Sequence, residues 1–183
     1  MPGRWEQSFV AAKWGHLDVV AVYVSLNISR TEYASFLDGL AACVRCLGAC
    51  PSLVLGDFNA HTTAWDSHRT NGRGRDVQDW AAALHFRLMN RGSTSTCVAW
   101  RGESIVDLTW ASPAASRRVS GWGVSPEETL SDHLYILMEV AVRGAMGNPS
   151  LDASEPTGPL GRRRRFPQWR RPTATRTSWR RPL

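Results

Sequence analysis

Three groups of polar side chains occur where apolar segments of this sequence end or are interrupted. The segment "SLVLGDFNAH" (52–61) places Asp57 and Asn59 directly after an apolar run. If the backbone stays extended there, both side chains leave the same face. A carboxylate can orient or deprotonate a water molecule, and a carboxamide can donate to a phosphate oxygen, so the pair suits phosphodiester hydrolysis. The alternative is an Asx turn, because Gly, Asp and Asn are common turn residues.

The other two groups strengthen the chemical interpretation. "SIVDLTW" carries Asp107 within an apolar run, where an unpaired carboxylate is costly to bury. "LSDHLYILMEV" places Asp132 and His133 at the start of an aliphatic segment. A histidine held by a carboxylate becomes an acid, a base or a phosphate ligand of fixed tautomer, and a neighbouring acid can coordinate a divalent cation. Each group alone has an ordinary structural explanation, whereas the three together indicate a phosphate-processing site.

The elements that must position these residues begin with a strand, a helix and a second strand. "LDVVAVYVSL" (17–26) and "SLVL" (52–55) are typical of buried strands. Between them, a capping box formed by Ser29 and Glu32 predicts the start of a helix over 31–48, which carries one apolar stripe. Tight joins between the three segments predict a βαβ unit.

The rest of the apolar sequence changes pattern. Residues 75–90 have an amphipathic, helix-like spacing of apolar side chains. Four later segments, separated by short polar turns, predict successive strands: 95–100, 104–112, 119–124 and 133–142. Mixed sheets with helices outside them are the natural packing, so the predicted fold class is α/β or α+β.

Length and composition limit the classes of protein. The 183 residues are enough for one domain with its own core. No apolar run reaches the roughly 18 to 20 residues of a membrane span, and residues 1–20 lack the apolar region of a signal peptide. We therefore expect a protein that is neither secreted nor bound in a membrane.

Charge is divided unevenly along the chain. Residues 161–183 contain nine arginines and no acid, whereas residues 1–160 carry 13 basic and 16 acidic groups. We expect one domain over 1–142 and a disordered Arg/Pro-rich tail over 143–183. The candidate nucleic-acid contacts of this tail form one block: Arg162, Arg163, Arg164 and Arg165. Clustered arginines neutralise phosphates, and the alternative is a segment with no selected role.

In combination, "GDFNAH", "S-x-x-D-L-T" and "SDH" resemble the motifs of the endonuclease/exonuclease/phosphatase superfamily over about residues 8–142. More narrowly, they resemble the apurinic-type endonuclease domain of non-LTR retrotransposons, particularly those of arthropods. "VVAVYVSLN" is similar to a strand exit of that family, with Tyr23 and Asn27 in the matching places. The resemblance implies a two-sheet β-sandwich flanked by helices.

The resemblance also implies catalytic roles. Asp57 would activate the attacking water, and Asn59 would orient and stabilise the transition state at phosphorus. Asp107 would hold His133, which would contact the scissile phosphate. Tyr23 would reach the phosphate from the opposite wall of the site.

The implied cofactor is Mg²⁺ or Mn²⁺, which Asp132 would help to bind. The family also has an early Asn and a Glu that is the principal Mg²⁺ ligand, but the only glutamate before Tyr23 here is Glu6, which lacks that motif's context. We therefore expect the C-terminal part of such a domain, starting at an internal methionine. Weak metal binding, a sheet that lacks strands and impaired activity would follow.

Three functions are compatible with these features. The first is a Mg²⁺-dependent DNA endonuclease of retrotransposon origin, although the reverse transcriptase expected downstream is replaced by the arginine-rich tail. The second is a non-catalytic remnant that binds nucleic acid. The third is the same fold acting on phospholipid or inositol phosphates, which the context of "GDFNAH" and the lack of membrane features disfavour. DNA is the expected partner, and no small-molecule cofactor is expected. The resemblance and the basic tail imply a nuclear or cytoplasmic localisation.

Overall fold

The computed structural model describes residues 8–100 and 102–141. The strands among them are β1 (Phe9–Trp14), β2 (Leu17–Tyr23), β3 (Ser52–Asp57), β4 (Arg87–Leu88), β5 (Cys97–Ala99), β6 (Gly102–Ser104), β7 (Asp107–Ala111), β8 (Val119–Val124) and β9 (Ile136–Val140). The helices are α1 (Arg30–Leu47), α2 (Gly72–Ala83) and α3 (Pro113–Ser116), with a short 3-10 helix at Thr63–Trp65.

The centre of the fold is a five-stranded sheet in the order β1-β2-β3-β7-β4. β2 and β3 are parallel and are joined by α1, which confirms the predicted βαβ unit. The neighbouring pairs β1-β2, β3-β7 and β4-β7 are antiparallel. The valine-rich β2 and the apolar β3 occupy central positions in the sheet, as runs of apolar residues usually do.

The helices α1 and α2 cover one face of this sheet. The capping box at the start of α1 is present, with the Ser29 hydroxyl accepting from the Glu32 amide at 3.2 Å and the Glu32 carboxylate accepting from the Ser29 amide at 2.6 Å. The largest core cluster lies between these helices and the sheet, and it includes Val20, Tyr33, Leu40, Phe58, Trp80 and Trp110. No helix in the described part of the chain is both long and apolar enough to span a membrane.

The hairpin of β8 and β9 covers the other face. A second core cluster lies between them and includes Leu17, Leu53, Met89, Ala111, Val119 and Trp122. The Trp122 indole donates to the Thr109 hydroxyl at 3.1 Å, which ties the hairpin to the central sheet. Two packed sheets with helices outside them are therefore confirmed, and the second sheet has two strands within the described residues.

The helix predicted from the amphipathic pattern over 75–90 is wrong at its C-terminal end. α2 ends at Ala83, and His85 then adopts a left-handed φ of 57° while the Phe86 amide donates to the Ala81 carbonyl at 2.9 Å. This is the geometry of a helix stop that usually contains glycine. Burial of Phe86 against Trp80, with ring centroids 5.7 Å apart, stabilises the turn without one.

Other predicted boundaries also change. The predicted strand 104–112 is divided, because Ile105 and Val106 leave the sheet pattern and are buried between β6 and β7. The strand β1 was not predicted, because its sequence FVAAKW does not alternate and five of its six residues are exposed. The proposed tail over 143–183 lies outside the described residues.

Candidate active site

Three neighbouring strands bring three of the predicted residues into one row. In the parallel pair of β2 and β3, Tyr23 lies opposite Asp57. In the antiparallel pair of β3 and β7, Asp57 lies opposite Asp107. Residues far apart in the chain therefore meet at one edge of the sheet, where the carboxyl ends of β2 and β3 adjoin the start of β7.

Asp57 and Asn59 are joined by a turn. The Asn59 amide N–H donates to Asp57 Oδ1 at 2.9 Å, and Asn59 Nδ2 donates to Asp57 Oδ2 at 2.8 Å. The expected extended geometry is wrong, because Asn59 has a left-handed φ of 45°. Asparagine tolerates this conformation better than most residues. The Asx turn and the pairing of Asp57 with Asn59 were considered as alternatives, but they are one and the same structure.

The Asn59 carboxamide orients the Asp57 carboxylate from a fixed position. Its second Nδ2 proton donates to the Val24 carbonyl at 2.8 Å, so both N–H groups of the side chain are already used. Donation from Asn59 to a substrate phosphate would require one of these bonds to break. In this geometry Asn59 holds Asp57 in place.

Asp57 is a buried acid, with 7% of its surface exposed. Burial raises the pKa of its carboxyl to about 6, and the charge of Asp107 adds to this rise. The Asn59 amide, His133 and Arg73 act in the opposite direction and limit it. A carboxyl group with a pKa near neutrality is suited to accepting a proton from water.

His133 is paired with the carboxylate that the sequence predicted. His133 Nδ1 lies 2.8 Å from Asp107 Oδ2. Partial burial lowers the pKa of His133, but the hydrogen bond to Asp107 and the charges of Asp107, Asp57 and Asp132 outweigh it, so the pKa is raised overall. The pairing fixes the ring and favours the protonated form, which can donate to a phosphate oxygen.

A single open cavity of about 630 Å³ joins these groups. The predicted residues that line it are Tyr23, Asp57, Asn59, Asp132 and His133. Asp107 lies behind His133, and Asn27 lines the cavity as well. The hairpin of β5 and β6 forms part of the wall. Arg162, Arg163, Arg164 and Arg165 lie outside the described residues.

A family model described as "Endonuclease-reverse transcriptase" matches residues 17–137, which is more than half of the chain and includes the five predicted residues that line the cavity and Asp107 behind them. The chain belongs to the endonuclease-reverse transcriptase family. The predicted resemblance to retrotransposon endonucleases and to the endonuclease/exonuclease/phosphatase fold is thereby confirmed.

Individual proteins with similar sequences and folds agree with this membership. The chain is 28% identical over 142 residues to the Retrovirus-related Pol polyprotein from the type-1 retrotransposable element R1 of Bradysia coprophila. It is similar to the endonuclease domain of TRAS1, a telomere-specific non-LTR retrotransposon, with a TM-score of 0.66 and 23% identity over 75% of this chain. It also resembles a 3′ phosphatase from Neisseria bound to a product DNA hairpin, with a TM-score of 0.60 and 17% identity over 77% of this chain.

The chain spans only part of these relatives. The matched region amounts to 72% of this chain but 14% of the R1 Pol polyprotein. The structural matches cover 65% of the TRAS1 domain and 67% of the Neisseria phosphatase.

Two residues that position Asp107 in this endonuclease-family fold were missed in the sequence. The Thr96 hydroxyl, which is fully buried, accepts from the amides of Val106 and Asp107 at 3.1 and 3.0 Å. Asn90 Nδ2 donates to the Asp107 carbonyl at 3.0 Å, and Asn90 Oδ1 accepts from the Thr109 amide at 2.8 Å. In the sequence, a threonine in "STCVAW" and an asparagine before a loop look like ordinary strand and turn residues.

The described residues do not preassemble a metal site. They contain no group of three or more His, Cys, Asp or Glu side chains that could hold an ion. Both Asp57 oxygens accept hydrogen bonds from Asn59, whereas Asp132 is exposed and lines the cavity. Mg²⁺ is often held by one or two carboxylates together with substrate phosphates, so this donor set fits only a weakly held ion.

Proposed function

We propose that this chain is a DNA endonuclease of retrotransposon origin, which hydrolyses a phosphodiester bond in the cavity lined by Asp57 and His133. The observation that carries the proposal is their convergence. A buried acid with a pKa of about 6 and a carboxylate-paired histidine come from three distant segments and meet at one open cavity. Family membership and the similarity to DNA-processing enzymes support the choice of substrate.

In the proposed reaction, Asp57 accepts a proton from a water molecule as the water oxygen attacks phosphorus. The bond from phosphorus to the leaving sugar oxygen breaks, and that oxygen takes up a proton from solvent. Asn59 keeps the carboxylate in place through its two hydrogen bonds. Protonated His133, held by Asp107, donates to a non-bridging phosphate oxygen and stabilises the negative charge that develops. Tyr23, which is 65% exposed at the end of the neighbouring strand β2, presents its hydroxyl to the phosphate.

The proposal includes a requirement for Mg²⁺ or Mn²⁺. Asp132 is the proposed protein ligand, and oxygens of the substrate phosphate would complete the coordination. When bound, the ion would supply positive charge that stabilises the negative charge developing on the phosphate and the leaving oxygen. Because the described residues supply no cluster of three ligands, we expect weak binding of the ion and saturation only in the presence of DNA.

A non-catalytic DNA-binding protein is the second candidate. Two observations favour it, namely the absence of a three-ligand cluster among the described residues and the engagement of both Asn59 N–H groups within the fold. The proposed contacts outside the cavity would be Arg162, Arg163, Arg164 and Arg165.

Nicking of supercoiled plasmid by the purified 183-residue chain tests the proposal. The reaction is run with Mg²⁺, with Mn²⁺ and with EDTA, for the natural chain and for Asp57→Ala and His133→Ala. Asp38→Ala and His16→Ala serve as matched controls, because both residues are exposed and lie outside the cavity. We expect metal-dependent nicking that the first two substitutions abolish and the controls retain.

Two results would contradict the endonuclease. One is nicking that persists in both site variants, which would point to a contaminating nuclease. The other is no nicking by a chain that melts cooperatively and shifts DNA in a gel, which would favour the binding protein.

A further inference from the structure

One arginine outside the predicted site holds a wall of the cavity. Arg73, in the first turn of α2, donates from Nη1 to the Ser25 carbonyl at 3.1 Å. Its Nη2 donates to the carbonyls of Leu26 and Ile28 at 3.1 and 2.8 Å. These carbonyls belong to the loop between β2 and α1, and Ser25 and Leu26 line the cavity. One guanidinium thus satisfies three carbonyls of a loop that has no regular structure.

Arg73 also contacts Tyr33, the residue that supports the Asp57–Asn59 turn from below. Its guanidinium lies over the Tyr33 ring, with Cζ 4.6 Å from the ring centroid. Tyr33 is fully buried, and its hydroxyl donates at 2.8 Å to the carbonyl of Phe58, the residue between Asp57 and Asn59. Arg73 and Tyr33 therefore connect the loop after β2 to the turn that carries the proposed base.

The connection continues through the backbone of the loop itself. The Val24 amide donates to the Asp57 carbonyl at 2.9 Å, and the Val24 carbonyl accepts from Asn59 Nδ2. A shift of this loop would move the acceptor that orients the Asn59 carboxamide. It would thereby disturb the hydrogen bond from Asn59 to Asp57.

The start of α2, the helix that carries Arg73, packs closely against the backbone of His61. Asn71 caps α2 by accepting from the Gly74 amide at 2.7 Å, and it also accepts from the His61 amide at 3.3 Å. A Cβ on Gly74 would lie 2.0 Å from the His61 carbonyl oxygen, so only glycine allows this approach. The start of α2 is therefore fixed in position, and the Arg73 side chain extends from it to the loop.

We propose that Arg73 is a positioning residue for the hydrolytic site, which sets the loop of residues 24–28 against the Asp57–Asn59 turn. Its catalytic consequence rests on the proposed endonuclease function, whereas the restraint of the loop does not. The planar guanidinium has five N–H donors in a fixed fork, which lets it bridge separate carbonyls while it stacks on a ring. A lysine ammonium keeps the charge but cannot reproduce this geometry.

The experiment compares Arg73→Lys with the natural chain by two readouts. Hydrogen exchange of peptides covering 24–29 and 57–61 reports the restraint of the loop, and plasmid nicking gives kcat and KM. Arg30→Ala is the matched control, because Arg30 makes one exposed ion pair with Asp76 at 3.3 Å. Tyr33→Phe keeps the ring beneath the guanidinium and removes only the hydrogen bond to Phe58.

For Arg73→Lys we expect exchange at least about tenfold faster in both peptides and a kcat lower by about tenfold or more, with KM changed by less than about threefold. Arg30→Ala should match the natural chain in both readouts. Tyr33→Phe should accelerate exchange mainly in the 57–61 peptide, and it tests the connection if Arg73→Lys does not fold.

The two proposals fail separately. If the natural chain does not nick DNA, the endonuclease is wrong, and exchange alone then decides whether Arg73 restrains the loop. Unchanged exchange in the 24–29 peptide of folded Arg73→Lys overturns the positioning role. In an active enzyme, a kcat within about twofold of the natural value overturns it too.

Discussion

The two faces of the central sheet are covered in different ways. On one face, α1 and α2 bury large side chains completely, including Tyr33, Leu40 and Phe58. On the other, the β9 residues that face the sheet, Ile136, Met138 and Val140, are only partly buried against the second cluster. Side chains between the helices and the sheet are therefore buried more completely than those that β9 turns toward the sheet.

This difference divides the candidate site into two halves. Phe58, between Asp57 and Asn59, accepts a hydrogen bond from Tyr33 on the helical face. Asn59 also donates two hydrogen bonds to the Asp57 carboxylate. His133 precedes β9, and its ring is held by one hydrogen bond to Asp107. We infer that packing fixes the half that carries the proposed base, whereas the orientation of the His133 ring depends on its pairing with Asp107.

The largest expected effect therefore comes from breaking that pair. In Asp107→Asn the ring loses its charged partner, so its orientation and its protonated form are both less favoured. We expect single-turnover nicking to slow by about 100-fold, equivalent to about 3 kcal/mol of transition-state stabilisation. Asp38→Asn, on the exposed face of α1, is the control, and a loss of less than about threefold would show that Asp107 is dispensable.

Two truncations, one on each covered face of the sheet, measure this difference in burial. Leu40→Ala leaves a cavity in the helical core and should lower the free energy of unfolding by about 3 kcal/mol. Met138→Ala removes a partly buried side chain from the sheet-facing side of β9 and should cost about 1 kcal/mol. Urea denaturation of both variants gives the comparison, and equal losses would mean that the hairpin face is packed as tightly as the helical one.

A smaller effect is expected where Thr96 supports Asp107. Thr96→Val keeps the shape of the side chain but leaves the buried amides of Val106 and Asp107 without their acceptor. We expect a loss of about 2 kcal/mol in the free energy of unfolding. Thr96→Ser keeps the hydroxyl and should cost less than about 1 kcal/mol. If the two variants melt alike, the hydroxyl is not what stabilises the start of β7.

The smallest effect concerns pH. Because burial raises the pKa of Asp57 from 3.8 to about 6, the folded protein holds this proton more tightly than the unfolded chain. The free energy of unfolding should therefore fall as pH rises through this interval, by about 1 to 2 kcal/mol for a cavity that stays open to water. Asp57→Asn removes this contribution, so its stability should decline less over the same range. Parallel pH dependences of the two proteins would show that the Asp57 pKa is unshifted.

Local sequence signals predicted much of the fold. The capping box located the start of α1, and apolar runs located β2, β3 and β8. These signals work because they act within a few residues of the chain. The end of α2 was missed because a histidine rather than a glycine takes the left-handed position, and only the burial of Phe86 makes that turn favourable.

The predicted site residues met as expected, but their geometry was not predictable. Asp57, Asn59, Asp107 and His133 were chosen by type and motif, and the cavity contains or adjoins them all. The roles of Thr96 and Arg73 had no sequence signal, because each acts through backbone groups of a distant segment.

The sequence by itself determined the family, the βαβ unit and the kinds of group available for phosphate chemistry. Those properties depend on residue identity and short-range periodicity, which are written along the chain. The tertiary structure alone decided that Asn59 holds Asp57 through a left-handed turn, that strand register aligns Tyr23, Asp57 and Asp107, and that one face is packed more tightly than the other. Register and burial arise from contacts between segments far apart in sequence, so they exist only once the chain has folded.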